Sequence, residues 1–228
     1  MNYQRILVFG AHPDDETTMA GTMAKLAAEG CEVYVAIMTD GCEGYPKPEW
    51  KDSIVAMRKV EQTACDEVLG VTKRFNYDAP DQGLVCDKET LSWCIHVIRE
   101  TRPDAVFNHG PVDVHNDHRH THEVVHDAVF HAGQPVNADL GPPWRTPHVY
   151  YYKAVKDALP TVTIDVTGYC EKHVESRATQ TSQFALWHKT KEDFDREVAR
   201  LKRERPETFE TFYLCDQTRL SAFPRLED

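Results

Sequence analysis

The sequence has no apolar run long enough to cross a bilayer, no internal repeat and no low-complexity tract. These absences argue against a transmembrane, fibrous or disordered chain. The opening residues MNYQRILVFG lack the basic head, apolar run and cleavage site of a signal peptide, so a cytoplasmic location is expected. The seven cysteines, at 31, 42, 65, 86, 94, 170 and 215, form no C-x-x-C pair, and their odd number suits reduced, mostly buried thiols better than a disulfide framework. Basic residues are the minority. Against 37 Asp and Glu stand 26 Lys and Arg, and the resulting net charge of −11 repels nucleic-acid phosphates and anionic lipid heads. Neither nucleic acid nor a membrane is expected as a partner.

What is present is a 228-residue chain, 41% hydrophobic and 28% charged, long enough for one α/β domain over 1–228. Ile6–Phe9 is a short, unbroken apolar run, the pattern of a strand buried on both faces of a parallel sheet. A helix is predicted over Thr17–Glu29, closed by Gly30, then a strand over Glu32–Met38 and a helix over Asp52–Leu69. A helix over Lys88–Glu100, a strand at Ala105–Phe107 and a helix from about Arg119 to His131 continue the alternation. After a Gly- and Pro-rich loop, Gln134–Pro147, come strand-like segments at His148–Tyr152 and Thr161–Val166 and a charged helix over Lys191–Arg205. Alternation of this kind predicts a Rossmann-like, doubly wound, mostly parallel sheet sandwiched by helices.

Two segments carry chemistry. Ala11-His12-Pro13-Asp14-Asp15-Glu16 follows the first strand, at the carboxyl end where open parallel sheets bind ligands. One imidazole and three carboxylates repel one another unless a cation or proton offsets them, and a divalent metal is the simple solution. The competing reading is a helix N-terminus, where acidic residues cap and meet the macrodipole. The second segment, Pro111 to His118, occupies the matching loop after another strand and lies in a window holding seven of the twelve histidines. His118, His122 and His126 recur at helical spacing, so part of that window is a helix face. The functional claim therefore rests on His115 and His118, with Asp113 and Asp117 as carboxylates that orient them.

Together these motifs make the chain resemble the LmbE-like deacetylases, which include the PIG-L enzymes, zinc-dependent hydrolases that deacetylate N-acetylglucosamine derivatives. The resemblance is carried by AHPDDE at 11–16, Thr39-Asp40-Gly41, Arg58-x-x-Glu61, Leu69-Gly70-Val71, Pro80-Asp81-Gln82-Gly83-Leu84, His115-Asn116-Asp117-His118, Ile164-Asp165-Val166-Thr167, Lys172 and Ser182-Gln183. It implies that His12, Asp15 and His118 bind the metal, that Asp14 is the general base, and that His115 stabilises the oxyanion. Asp117 would raise the pKa of His115 and so belongs with the catalytic group. Arg58 and Asp81 match sugar-contacting positions; their alternatives are a surface ion pair with Glu61 and a turn cap. Asn116 replaces a proline, and Gln180 stands where many relatives have a histidine.

The expected reaction is removal of an acetyl group from an amino-sugar or its conjugate, with metal-bound water as nucleophile and Zn²⁺, or equally Fe²⁺, as the ion. A two-metal phosphoesterase and a non-catalytic metal- or sugar-binding module are the alternatives, separated by metal stoichiometry and by chelator-sensitive deacetylation. Trp144 and Tyr150–Tyr152 could wall a sugar or serve as core. Specificity is expected in loops 40–50 and 134–147. A homo-oligomer is compatible with the sequence.

Overall fold

β1 (Arg5–Gly10) is buried from Ile6 onward, and its side chains part to opposite faces of a sheet. Leu7 and Phe9 enter one apolar core, whereas Ile6 and Val8 enter the other. The chain continues through α1 (Ala20–Ala28), β2 (Glu32–Thr39), α2 (Ile54–Leu69), β3 (Val71–Ala79), α3 (Lys88–Thr101), β4 (Ala105–Asn108) and α4 (Asn116–Ala132). It ends with β5 (His148–Tyr151), β6 (Val162–Asp165), α5 (Lys172–Ala178), α6 (Lys191–Glu204) and β7 (Phe209–Leu214). The computed structural model describes residues 3–152 and 162–215, so Thr161 of the predicted strand Thr161–Val166 lies outside the described residues.

The sheet order is β3-β2-β1-β4-β5-β7-β6. The first five strands pair in parallel, and β7 runs antiparallel to both β5 and β6. Helices α3 and α4 cover the Leu7/Phe9 face; α1 and α2 cover the other. Chain order reverses at β1, which lies between β2 and β4, and this switch point opens a crevice at the carboxyl ends of β1 and β4. The loops carrying the two histidine motifs leave these two strands.

The structure differs from the sequence reading at four elements. The predicted helix Thr17–Glu29 starts as a 3₁₀ turn over Asp15–Met19 and becomes α-helical only at Ala20. β3, absent from the prediction, is an edge strand with a charged, half-exposed pattern rather than an apolar run. β7 and α5 were also unpredicted, and β7 makes the far edge antiparallel.

The 134–147 loop does not border the crevice. α4 starts at the crevice and its 17 residues carry the chain about 25 Å away. There the fully buried guanidinium of Arg99 donates to the carbonyl oxygens of His131, Ala132, Gln134, Val136, Asn137 and Gly141. Arg99→Met is expected to lower the unfolding free energy by about 3 kcal/mol, because it strands buried acceptors. Urea denaturation would test this; a loss below about 1 kcal/mol would contradict the clamp.

Candidate metal centre

Gly10 ends β1 where the backbone passes close to its neighbours: a Cβ there would lie 2.8 Å from Ile37 Cδ1 and 3.1 Å from Asp15 Cβ. The chain then turns tightly, with the His12 carbonyl accepting from the N–H groups of Asp14 (2.8 Å) and Asp15 (3.2 Å). This turn folds Asp15 back, so that its carboxylate accepts from the His12 N–H at 2.8 Å. From the β4 side, His115 caps α4 through Nδ1, which accepts from the Asp117 N–H at 3.3 Å. One turn into that helix, His118 points back across the crevice.

The two loops meet. His12 Nδ1 lies 3.1 Å from His118 Nε2 and 3.5 Å from Asp15 Oδ2, and His118 Nε2 lies 3.5 Å from Asp15 Oδ1. Donors bound at about 2.1 Å to one tetrahedral ion sit about 3.4 Å apart, so the spacing and the His₂Asp chemistry fit a divalent metal. The remaining ring nitrogens face orienting groups. His118 Nδ1 is 2.9 Å from Asp113 Oδ2, and His12 Nε2 is 3.2 Å from both Asp81 Oδ1 and Asp117 Oδ2. His115 is also within reach of His12 and His118, and Asp15, His109 and His118 form a further set of close donors.

Burial opposes a charge on His12, but hydrogen bonds to Asp117, Asp15 and Asp81 outweigh it and push its pKa up to about 12. Burial likewise opposes ionisation of Asp117, yet His12 and the Gln82 N–H hold it below the usual carboxylate range. His115 differs from expectation. Burial, followed by the charges of His12 and His118, lowers its pKa, and the Asp117 carboxylate is 4.0 Å away, engaged with His12. Because Nδ1 accepts the Asp117 N–H, the neutral ring carries its proton on Nε2.

Metal is not the only compensation for the three carboxylates. Arg58 Nη2 reaches Asp14 Oδ2 at 3.3 Å, and Arg74 Nη2 from β3 reaches Glu16 at 2.6 Å and Asp66 at 2.5 Å. Asp15 is left to the histidines. Arg58 is buried, not a surface partner of Glu61, whose carboxylate instead accepts from Thr181 Oγ1 and from Ser182 N–H and Oγ. That anchor holds Gln183 at the crevice, where its amide donates to the Gly44 carbonyl at 2.8 Å.

A cavity of about 240 Å³ opens beside the cluster, lined by His12, Asp14, Arg58, Asp81, Gln82 and His115, with Gly41, Glu43 and Gly44 from the 40–50 loop and Gln183. Gln180 is fully buried and outside this lining. Tyr150, Tyr151 and Tyr152 are core residues, and Trp144 packs against the core with Nε1 donating to the Pro103 carbonyl. His109 was missed from sequence: it is fully buried, its ring stacks on His118 at 4.3 Å, and its Nε2 lies 3.2 Å from Asp15 Oδ2. The available signal was its place directly after β4 within the histidine-rich window.

Residues 7–129 match the PIG-L family, described as GlcNAc-PI de-N-acetylase. The chain is 34% identical over 188 residues to a 1D-myo-inositol 2-acetamido-2-deoxy-alpha-D-glucopyranoside deacetylase of Rhodococcus jostii, covering 70% of this chain and 64% of that protein. It is 30% identical over 192 residues to a diacetylchitobiose deacetylase of Thermococcus kodakarensis, covering 79% and 70% respectively. The chain thus spans just under two thirds of the length of the Rhodococcus relative. The N,N'-diacetylchitobiose deacetylase of Pyrococcus horikoshii, solved with an inhibitor, has the same fold, with a TM-score of 0.80, 24% identity, and coverage of 94% of this chain and 85% of that one.

Proposed function

This chain belongs to the PIG-L family, and on that premise we propose that it is a metal-dependent hydrolase that removes the acetyl group from an N-acetylglucosamine-type substrate. The observation that carries the reading is the spacing of His12 Nδ1, Asp15 and His118 Nε2, at 3.1 to 3.5 Å, beside a cavity that is also lined by the Asp14 carboxylate. The proposed ligands are His12, Asp15 and His118, with Zn²⁺ or Fe²⁺ as the ion. When bound, such an ion polarises the amide carbonyl and lowers the pKa of water toward about 7.

The protein's own groups divide the remaining work. Asp14, next to a ligand and paired with Arg58, accepts the proton from the attacking water and returns it to the departing amine. His115 donates from Nε2–H to the oxygen that gains charge as the tetrahedral centre forms; as a neutral donor it needs no raised pKa. Asp117 and Asp81 fix the tautomer of His12 by facing its Nε2, and Asp113 does the same for His118. Asp81, assigned to sugar contact by resemblance, thus also orients a ligand. Arg58 and Asp81 line the cavity where a sugar would lie, and the cavity's small volume suits one sugar ring better than a large ligand.

The test is free-amine release from N-acetylglucosaminyl-inositol and diacetylchitobiose, with and without a chelator. Turnover abolished by the chelator and restored by metal is expected; full activity in chelator would contradict the reading. A pH linkage follows from His12. The carboxylates hold a proton on its ring that a bound ion must displace, so metal affinity should rise about tenfold per pH unit through the neutral range. Calorimetry in buffers of different ionisation enthalpy should register about one proton released per ion; no release would show that His12 is not a ligand.

A further inference from the structure

Gln183 lines the cavity beside the cluster with a side chain that is only 5% exposed, and the groups around its amide fix which way it points. The fixing starts on α2. The Glu61 carboxylate accepts from Thr181 Oγ1 at 2.8 Å, from the Ser182 N–H at 2.5 Å and from Ser182 Oγ at 2.8 Å. The Ser182 hydroxyl proton is thereby committed to a carboxylate, which leaves Oγ as an acceptor, and Gln183 Nε2 donates to it at 2.8 Å. The second Nε2 hydrogen goes to the Gly44 carbonyl, also at 2.8 Å. Flipping the amide would set its oxygen against two acceptors. Oε1 is therefore the amide atom left for a ligand, and among the described residues nothing donates to it.

The contacts run in series away from the cluster. Asp14 Oδ2 meets Arg58 Nη2 at 3.3 Å, a Cβ on Gly41 would stand 3.7 Å from Arg58 Nε, the Gly44 N–H donates to the Gly41 carbonyl at 3.0 Å, and the Gly44 carbonyl holds Gln183. Arg58 and the 41–44 turn thus stand between Asp14 and Gln183, along a cavity of about 240 Å³ that suits one sugar ring. With the acetamido group on C2 of that ring placed at Asp14, the carbons farthest from it are C4 and C5, which carry the 4-hydroxyl and the hydroxymethyl group. We propose that Gln183 Oε1 determines specificity at this far end, accepting the hydrogen of the 4- or 6-hydroxyl of an N-acetylglucosaminide and so selecting a ring whose far hydroxyls are unsubstituted. The assignment rests on the deacetylase reading above. Glu43 lines the same cavity as a further acceptor, so a phosphate or sulfate ester at either position is turned away.

The probes are methyl N-acetylglucosaminide and its analogues in which hydrogen replaces the hydroxyl at C3, C4 or C6, offered to the metal-loaded full chain. Removing the hydroxyl that Gln183 accepts leaves a shielded acceptor unpaired and should lower kcat/KM by about 10–100-fold. This wild-type series needs no variant. Gln183→Met removes the acceptor from the protein side, and in that variant the parent and the same analogue should react within about threefold of each other. The comparison uses kcat/KM where free amine is released and dissociation constants from calorimetry where none is, so the two readings fail separately. Binding that depends on the far hydroxyl and on Gln183, without amine release, would sink the deacetylase and uphold this assignment. A wild-type protein that treats the C4 and C6 analogues like the parent, or that loses only at C3, would overturn it. So would a loss as large in Gln183→Met as in the wild type, which would give the hydroxyl to another acceptor.

Discussion

Asp14→Asn is expected to lower the turnover number by about 10²–10⁴-fold while leaving metal content at the wild-type level. The asparagine amide is nearly the size of the carboxyl group and can still accept from Arg58, which lies 3.3 Å from Asp14 in the native protein. What it cannot do is take up a proton. Substrate binding depends on other cavity residues, so KM should shift far less than the turnover number. Steady-state kinetics and elemental analysis on one preparation would decide the matter. Near-normal turnover would remove Asp14 from the base role, whereas loss of metal would make it a ligand.

His118→Ala should cost still more, because it removes a proposed ligand and leaves the Asp113 carboxylate, otherwise 2.9 Å from His118 Nδ1, without its imidazole. Metal content should fall below a tenth of an equivalent at the cluster, with activity falling in proportion. Activity restored by excess metal would indicate weakened binding. Full metal content with normal activity would show that His115, which also lies within reach of His12, has taken the ligand position.

The sequence reveals the parts of the fold that are buried on both faces. β1 and β2 are continuous apolar runs because helices cover the sheet on each side, and such runs need no alignment to be recognised. β3 has a charged, half-exposed pattern because it lies at the edge, so its residues read as a loop or helix end. The convergence of the 11–16 and 113–118 loops follows from the strand alternation, since adjacent β1 and β4 bracket the switch point. Partner choice inside the site does not follow from sequence. That Asp117 serves His12 rather than His115, and that Arg74 neutralises Glu16 from 58 residues away, depends on side-chain directions set only by tertiary packing. That the two adjacent aspartates face different neighbours, Asp15 the histidines and Asp14 Arg58, was legible because neighbouring carboxylates cannot both point at one place in the same geometry.

The central claim is that two distant loops hold one ion through His12, Asp15 and His118. Anomalous diffraction at the metal's absorption edge, from crystals grown with that metal, tests it most directly. The account predicts a strong peak about 2 Å from His12 Nδ1, an Asp15 oxygen and His118 Nε2. A peak bound instead by His115, or none in the crevice while the protein is active, would contradict it.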